Sequence, residues 1–66
     1  MGTFRFHLIG GHPVNVDVDA RSIVELGEMI TRERFIIGTR TEPDEDGVLP
    51  GILIASSRIQ CAVEAG

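Results

Sequence analysis

Apolar and polar residues alternate one by one in two stretches near the start of the chain, residues 3–9 and 14–19. Alternation with a period of two is typical of a strand that has one face buried and one face in water. Between these stretches, Gly10, Gly11 and Pro13 favour a turn. The sequence therefore predicts a β-hairpin that buries the phenylalanine and valine side chains of its two strands.

The register of this hairpin follows from the same pattern, because directly opposed residues of an antiparallel pair share a face. A three-residue loop over residues 10–12 places Phe6 opposite Val16. On the wet face, the same register sets Arg5 against Asp17, a surface pair of opposite charge. Both faces favour this register, and we predict it on that basis.

Residues 22–33 carry the only helical pattern, with apolar residues recurring at three- and four-residue spacing. Ser22 is a good N-cap, and Glu25 three residues later completes the pattern of a capping box. Gly27 lies on the apolar side of this helix, where a glycine costs about 1 kcal/mol relative to alanine. We therefore predict that a strand backbone passes close to Gly27.

The second half of the chain predicts three more strands, over residues 34–41, 52–55 and 59–64. In the last of them, alternation predicts that Cys61 points inward with its apolar neighbours and is buried. Residues 42–51 contain two prolines, two glycines and four carboxylates, and this composition predicts a solvated loop.

The predicted order is strand, strand, helix, strand, strand, strand, which defines a single small α+β domain over residues 1–66. Five short strands with brief connections predict a strongly curved antiparallel sheet or a barrel whose layout resembles the SH3-like kind. The alternative is an open antiparallel sheet with the helix packed on one face. An Sm-like RNA-binding barrel would carry its helix before the first strand, and this chain does not.

Length and charge restrict the function classes. A chain of 66 residues buries only about 60% of its unfolded surface, so its own core is marginal and association is a common remedy. The formal net charge is -4 and all six basic residues are arginine, which disfavours general nucleic-acid binding. We expect no membrane span and no targeting segment, and the single cysteine suits the cytoplasm.

Two groups of residues are candidate sites. The first is a candidate interface of apolar residues from a strand that is apolar on both faces and from the next short strand: Phe35, Ile36, Ile37, Ile52 and Ile54. The second is a candidate anion-binding or partner-binding patch: Arg34, Arg40 and Arg58.

The sequence motifs that would indicate metal binding or catalysis are incomplete. His7 and His12 lack metal-ligand spacing, and the acidic turn over residues 42–47 lacks the later ligands of an EF-hand loop. Nothing in the sequence places a base beside Cys61. We expect all three phenylalanines to be buried, which leaves no aromatic surface for stacking on bases. We therefore expect no cofactor, no metal and no enzymatic activity.

The sequence thus favours a non-enzymatic interaction module that forms a homo-oligomer. One alternative is an Sm-like small barrel that binds RNA or a nucleotide through its scattered arginines. Another is an accessory subunit of a larger bacterial or phage assembly.

Overall fold

Over residues 1–65, which the computed structural model describes, the chain forms one α-helix and a five-stranded antiparallel sheet. The strands are β1 (Gly2–Leu8), β2 (Val14–Val18), β3 (Phe35–Arg40), β4 (Gly51–Ala55) and β5 (Ile59–Glu64). The helix α1 (Ile23–Arg32) follows β2, and one turn of 3-10 helix, Ser56–Arg58, separates β4 from β5. The predicted order of elements is confirmed.

The sheet is open but curled. Its strands are hydrogen-bonded in the order β4-β3-β2-β1-β5, so β4 and β5 are the two edges and, within residues 1–65, are not paired with each other. Only Ser56–Arg58 joins these two edges. Such a link spans at most about 14 Å, whereas the edges of a flat five-stranded sheet lie about 19 Å apart. The sheet must therefore bend, yet it does not close into a barrel, and the open-sheet alternative is the one that fits.

One face of the sheet packs against α1 and forms the core. The fully buried side chains come from β1, β2, β3, β4, the β2–α1 link and α1: Phe4, Phe6, Val16, Val18, Ala20, Leu26, Ile36 and Ile54. Leu26 is the one residue of α1 that is fully buried, and Met29 and Ile30 pack beside it. The attachment of the helix therefore depends on a narrow apolar stripe.

The predicted N-cap Ser22 is confirmed, but the return bond of the capping box, from the Ser22 N–H to the Glu25 carboxylate, is not formed within residues 1–65. The predicted role of Gly27 is wrong. The Ser22 Oγ accepts a hydrogen bond from the Glu25 N–H at 3.2 Å. Gly27 is exposed, and a Cβ built on it would meet no atom within 4 Å. The close approach is at Gly38 in β3, where a Cβ would collide with the Val16 side chain and lie 2.6 Å from the Asp17 carbonyl oxygen.

The register of the β1–β2 hairpin differs from the predicted one by two residues. Phe6 lies opposite Val14, not Val16, and Arg5 lies opposite Asn15, not Asp17. The end of β1 bonds to the other neighbour instead, since the Ile9 N–H donates to the Arg58 carbonyl at 2.8 Å. A slide of two residues keeps every side chain on its predicted face, so the apolar pattern does not distinguish the two registers.

The faces of β5 are also different from the predicted ones. The register between β1 and β5 shifts between His7 and Leu8, so that Leu8 lies opposite Ile59 but His7 lies opposite Cys61. The extra residue, Gln60, is a β-bulge that reverses the alternation beyond it. Cys61 is therefore exposed, and the prediction that it is buried is wrong.

Candidate functional site

The face of the sheet opposite α1 carries the most distinctive surface of this chain. The ladder pairs place on it the residues that alternate with the core: Thr3, Arg5, His7, Asn15, Asp17, Phe35, Ile37, Thr39, Leu53, Ala55, Cys61 and Val63. Its chemistry changes across the sheet from polar at β1 and β2 to apolar at β3 and β4. We call this the open face.

The largest apolar part, on β3 and β4, consists of Phe35, Ile37 and Leu53, which we call the open-face patch. Ile37 lies directly opposite Leu53, and Phe35 lies opposite Ala55. The exposed fractions are 51% for Phe35, 74% for Ile37 and 60% for Leu53. Three adjacent large apolar side chains that remain in water are typical of an interaction surface, whereas scattered ones are ordinary. Phe35 was expected to be buried, and that expectation is wrong.

Two pairs of polar side chains on the open face are hydrogen-bonded to each other across β1 and β2. The Thr3 hydroxyl donates to the Asp17 carboxylate, and the Arg5 Nε donates to the Asn15 side-chain oxygen at 3.2 Å. These hydrogen bonds satisfy polar groups that would otherwise be available to a ligand. The open-face patch lies beyond these pairs, and its apolar side chains remain in water.

The structure divides the candidate interface predicted from sequence. Ile36 and Ile54 lie in the core against α1, and Ile52 is half-buried against the same core. These three are therefore removed from the candidate surface, while Phe35 and Ile37 stay on it. Leu53 was missed, although its parity was a usable signal: it alternates with Ile52 and Ile54, so it must face the other side of β4.

The three arginines of the candidate anion patch do not lie together. Arg34 and Arg40 are at opposite ends of β3, six positions apart in an extended strand and so separated by roughly 20 Å. Arg34 and Arg58 are at the same end, because the Ser56 N–H donates to the Arg34 carbonyl at 2.8 Å. All three side chains are exposed. The structure thus supports a pair at one end of β4 and a separate arginine at the other.

The hydrogen-bonding pattern of β4 shows which backbone groups its outer edge presents. The Arg40 N–H donates to the Pro50 carbonyl at 2.9 Å, and the Ser56 N–H donates to the Arg34 carbonyl. Bonded and non-bonded pairs alternate along an antiparallel ladder, so Ile52 and Ile54 also direct their backbone groups toward β3. Gly51, Leu53 and Ala55 consequently direct theirs outward.

The two edge strands differ in how well they are protected from pairing with another chain. β4 contains no charged residue, and no proline lies inside it. β5 contains Glu64, whose carboxylate accepts a hydrogen bond from the Ile23 N–H at 3.0 Å, so the start of α1 lies beside this edge. Charged residues and covering elements protect natural sheet edges from pairing with other chains. By that criterion β4 is the unprotected edge.

The remaining polar groups and surface depressions give weaker evidence of a catalytic or binding site. His7 and Cys61 lie directly opposite each other on the open face, a neighbourhood that the sequence did not indicate because the bulge creates it. In the acidic loop, the Asp44 carboxylate accepts hydrogen bonds from the Asp46 and Val48 N–H groups and so stabilises its own turn. A surface depression of about 210 Å³ beside Arg21 and a smaller one of about 110 Å³ beside Arg40 are below the usual size of ligand pockets.

No family model, curated protein or solved structure matches this chain. Within residues 1–65, no helix is long and apolar enough to cross a membrane.

Proposed function

We propose that this chain is a non-enzymatic interaction module that associates with copies of itself through the open-face patch and the adjoining edge of β4. The observation that carries the proposal is the exposure of Phe35, Ile37 and Leu53 beside an edge strand without charge. A second copy that contacts this surface removes apolar area from water, which favours association.

The size of the chain supports association as well. Among residues 1–65 the core contains eight buried side chains, and a domain of about 60 residues is marginal on its own. Contact between two copies at Leu53 adds apolar contacts that one copy alone does not make. A contact built on one short strand is at the small end of interface sizes, where weak and transient complexes lie, so we expect a dissociation constant of about micromolar order or weaker.

Three further features belong to this proposal. The layout is SH3-like, and the single 3-10 turn that joins the two edge strands supports it. The location is the cytoplasm, since an exposed unpaired thiol at Cys61 is kept reduced there. The RNA-binding alternative is weaker, because Arg34 and Arg40 are at opposite ends of β3.

Replacing Leu53 with lysine tests the proposal. A charge at the centre of the patch must be desolvated on association, so we expect Leu53→Lys to weaken self-association by about a hundredfold or more. Sedimentation velocity at matched concentrations measures this. Val24→Lys is the matched control, because Val24 is 69% exposed on α1, away from the open face. Equal association of both variants and the parent would contradict a role for the patch.

A further inference from the structure

We propose, as a deepening of the proposed function, that β4 pairs with β4 of a second copy in antiparallel orientation about a two-fold axis at Leu53. The pairing would extend the five strands of each copy into one continuous sheet. This pairing rests on the proposed self-association.

The backbone groups of the edge fit this register. Gly51, Leu53 and Ala55 direct their backbone groups away from β3, because Ile52 and Ile54 are the residues of β4 that bond to it. With the axis at Leu53, each Leu53 donates to and accepts from Leu53 of the second copy, and the Ala55 N–H donates to the Gly51 carbonyl. The Ala55 carbonyl begins the 3-10 turn, so the Gly51 N–H at each end of the pairing stays in water. The edge is therefore complementary to itself.

The side chains of β3 and β4 also fit the register centred on Leu53. Directly opposed residues share a face, so Leu53 of the two copies would meet on the open face. Ile37 lies beside Leu53 in each copy, and a row of four apolar side chains would cross the junction. In the next row, Phe35 would extend over Ala55 toward Gly51 of the second copy, where the absence of a side chain leaves room.

The charges at the two ends of β4 select the antiparallel orientation. The loop that leads into β4 carries four carboxylates: Glu42, Asp44, Glu45 and Asp46. The positive charge of Arg40 offsets one of these negative charges. At the other end of β4 lie the exposed Arg34 and Arg58, while Glu33 there is already paired with Arg32 at 3.5 Å. Antiparallel pairing brings the acidic end of each copy to the basic end of the other, whereas parallel pairing would bring like charges together.

Disulfide trapping distinguishes this arrangement from face-to-face stacking of two open faces. In a Cys61→Ser background, Leu53→Cys places thiols on the axis, with Cα atoms about 5.5 Å apart and within the range of a disulfide. Ile37→Cys is the matched control on the same patch. Edge pairing separates the two copies of Ile37 by three strand spacings, roughly 14 Å, which is too far to bridge. Stacking would instead bring the protruding Ile37 side chains together.

We expect Leu53→Cys to form the linked dimer at least about tenfold faster than Ile37→Cys under mild oxidation, because only the first pair is within disulfide range. A second measurement keeps Leu53 intact: a mixture of Gly51→Cys and Ala55→Cys chains should form the mixed disulfide in preference to either like pair. Faster linking through Ile37→Cys, or no preference in the mixture while sedimentation still shows association, would overturn the β4 pairing and leave the proposed function standing. A parent chain that sediments as a monomer would overturn both.

Discussion

Gly38→Ala should destabilise this protein more than any other single-methyl addition in the sheet. The new Cβ would collide with the Val16 side chain and lie 2.6 Å from the Asp17 carbonyl oxygen. That oxygen belongs to the β2 backbone, so the strand itself must shift. We expect a loss of about 3 kcal/mol, the upper end of what overpacking costs. The whole stability of a domain this size is roughly 3–10 kcal/mol.

A second glycine provides the control, because the same substitution there should raise the stability of the fold. Gly27 lies inside α1, is exposed, and has open space where a Cβ would be. Gly27→Ala should therefore stabilise the fold by about 0.5–1 kcal/mol through helix propensity alone. Thermal unfolding followed by circular dichroism at one protein concentration compares the two. Gly38→Ala should lower the melting temperature by more than about 10 °C. Melting of Gly38→Ala at the parent temperature would show that β2 and β3 do not approach as closely as described.

Leu26→Ala should detach the helix. Leu26 is the one fully buried residue of α1, and it packs in the core with the β1, β2 and β3 side chains. Removing a buried leucine side chain costs about 2–5 kcal/mol, depending on how far the site collapses. No other fully buried side chain of α1 can compensate, so we expect the loss to be near the upper end of that range.

Val24→Ala is the matched control for Leu26→Ala. Val24 lies two residues earlier in the same helix and is largely exposed. Its truncation should change the unfolding free energy by no more than about 0.5 kcal/mol. Chemical denaturation of the two variants gives both free energies, and similar values for the two would contradict the packing of α1 through Leu26.

Local patterns were sufficient to predict the elements of this fold. Period-two alternation marked β1 and β2, helical spacing marked α1, and Ser22 marked the start of the helix. Each of these signals lies within a few residues of sequence, and each element forms where its signal lies. The arrangement of the elements depended on contacts between segments that are distant in the chain.

Three long-range features could not be predicted in this way. A slide of two residues in the β1–β2 register preserves both faces, so periodicity does not exclude it. The single extra residue Gln60 reverses β5 and exposes Cys61. The roles of Gly27 and Gly38 depend on which backbone passes nearby, which neither glycine's own neighbours reveal.

The candidate site was predicted in part for the same reason. The run at Phe35 is apolar on both faces, and sequence alone did not show which face α1 covers. Once the helix is placed, Ile36 belongs to the core and Ile37 to the surface. The same placement assigns Leu53 to the surface and so moves the candidate interface to the open face.

Sedimentation equilibrium of the unmodified chain, from about one micromolar to several hundred micromolar, tests the central claim most directly, since interfaces of this small size dissociate in that range. We predict a mass that rises from that of one copy to that of two as the concentration increases. A mass of one copy across the whole range, with the open-face patch still exposed, would contradict self-association.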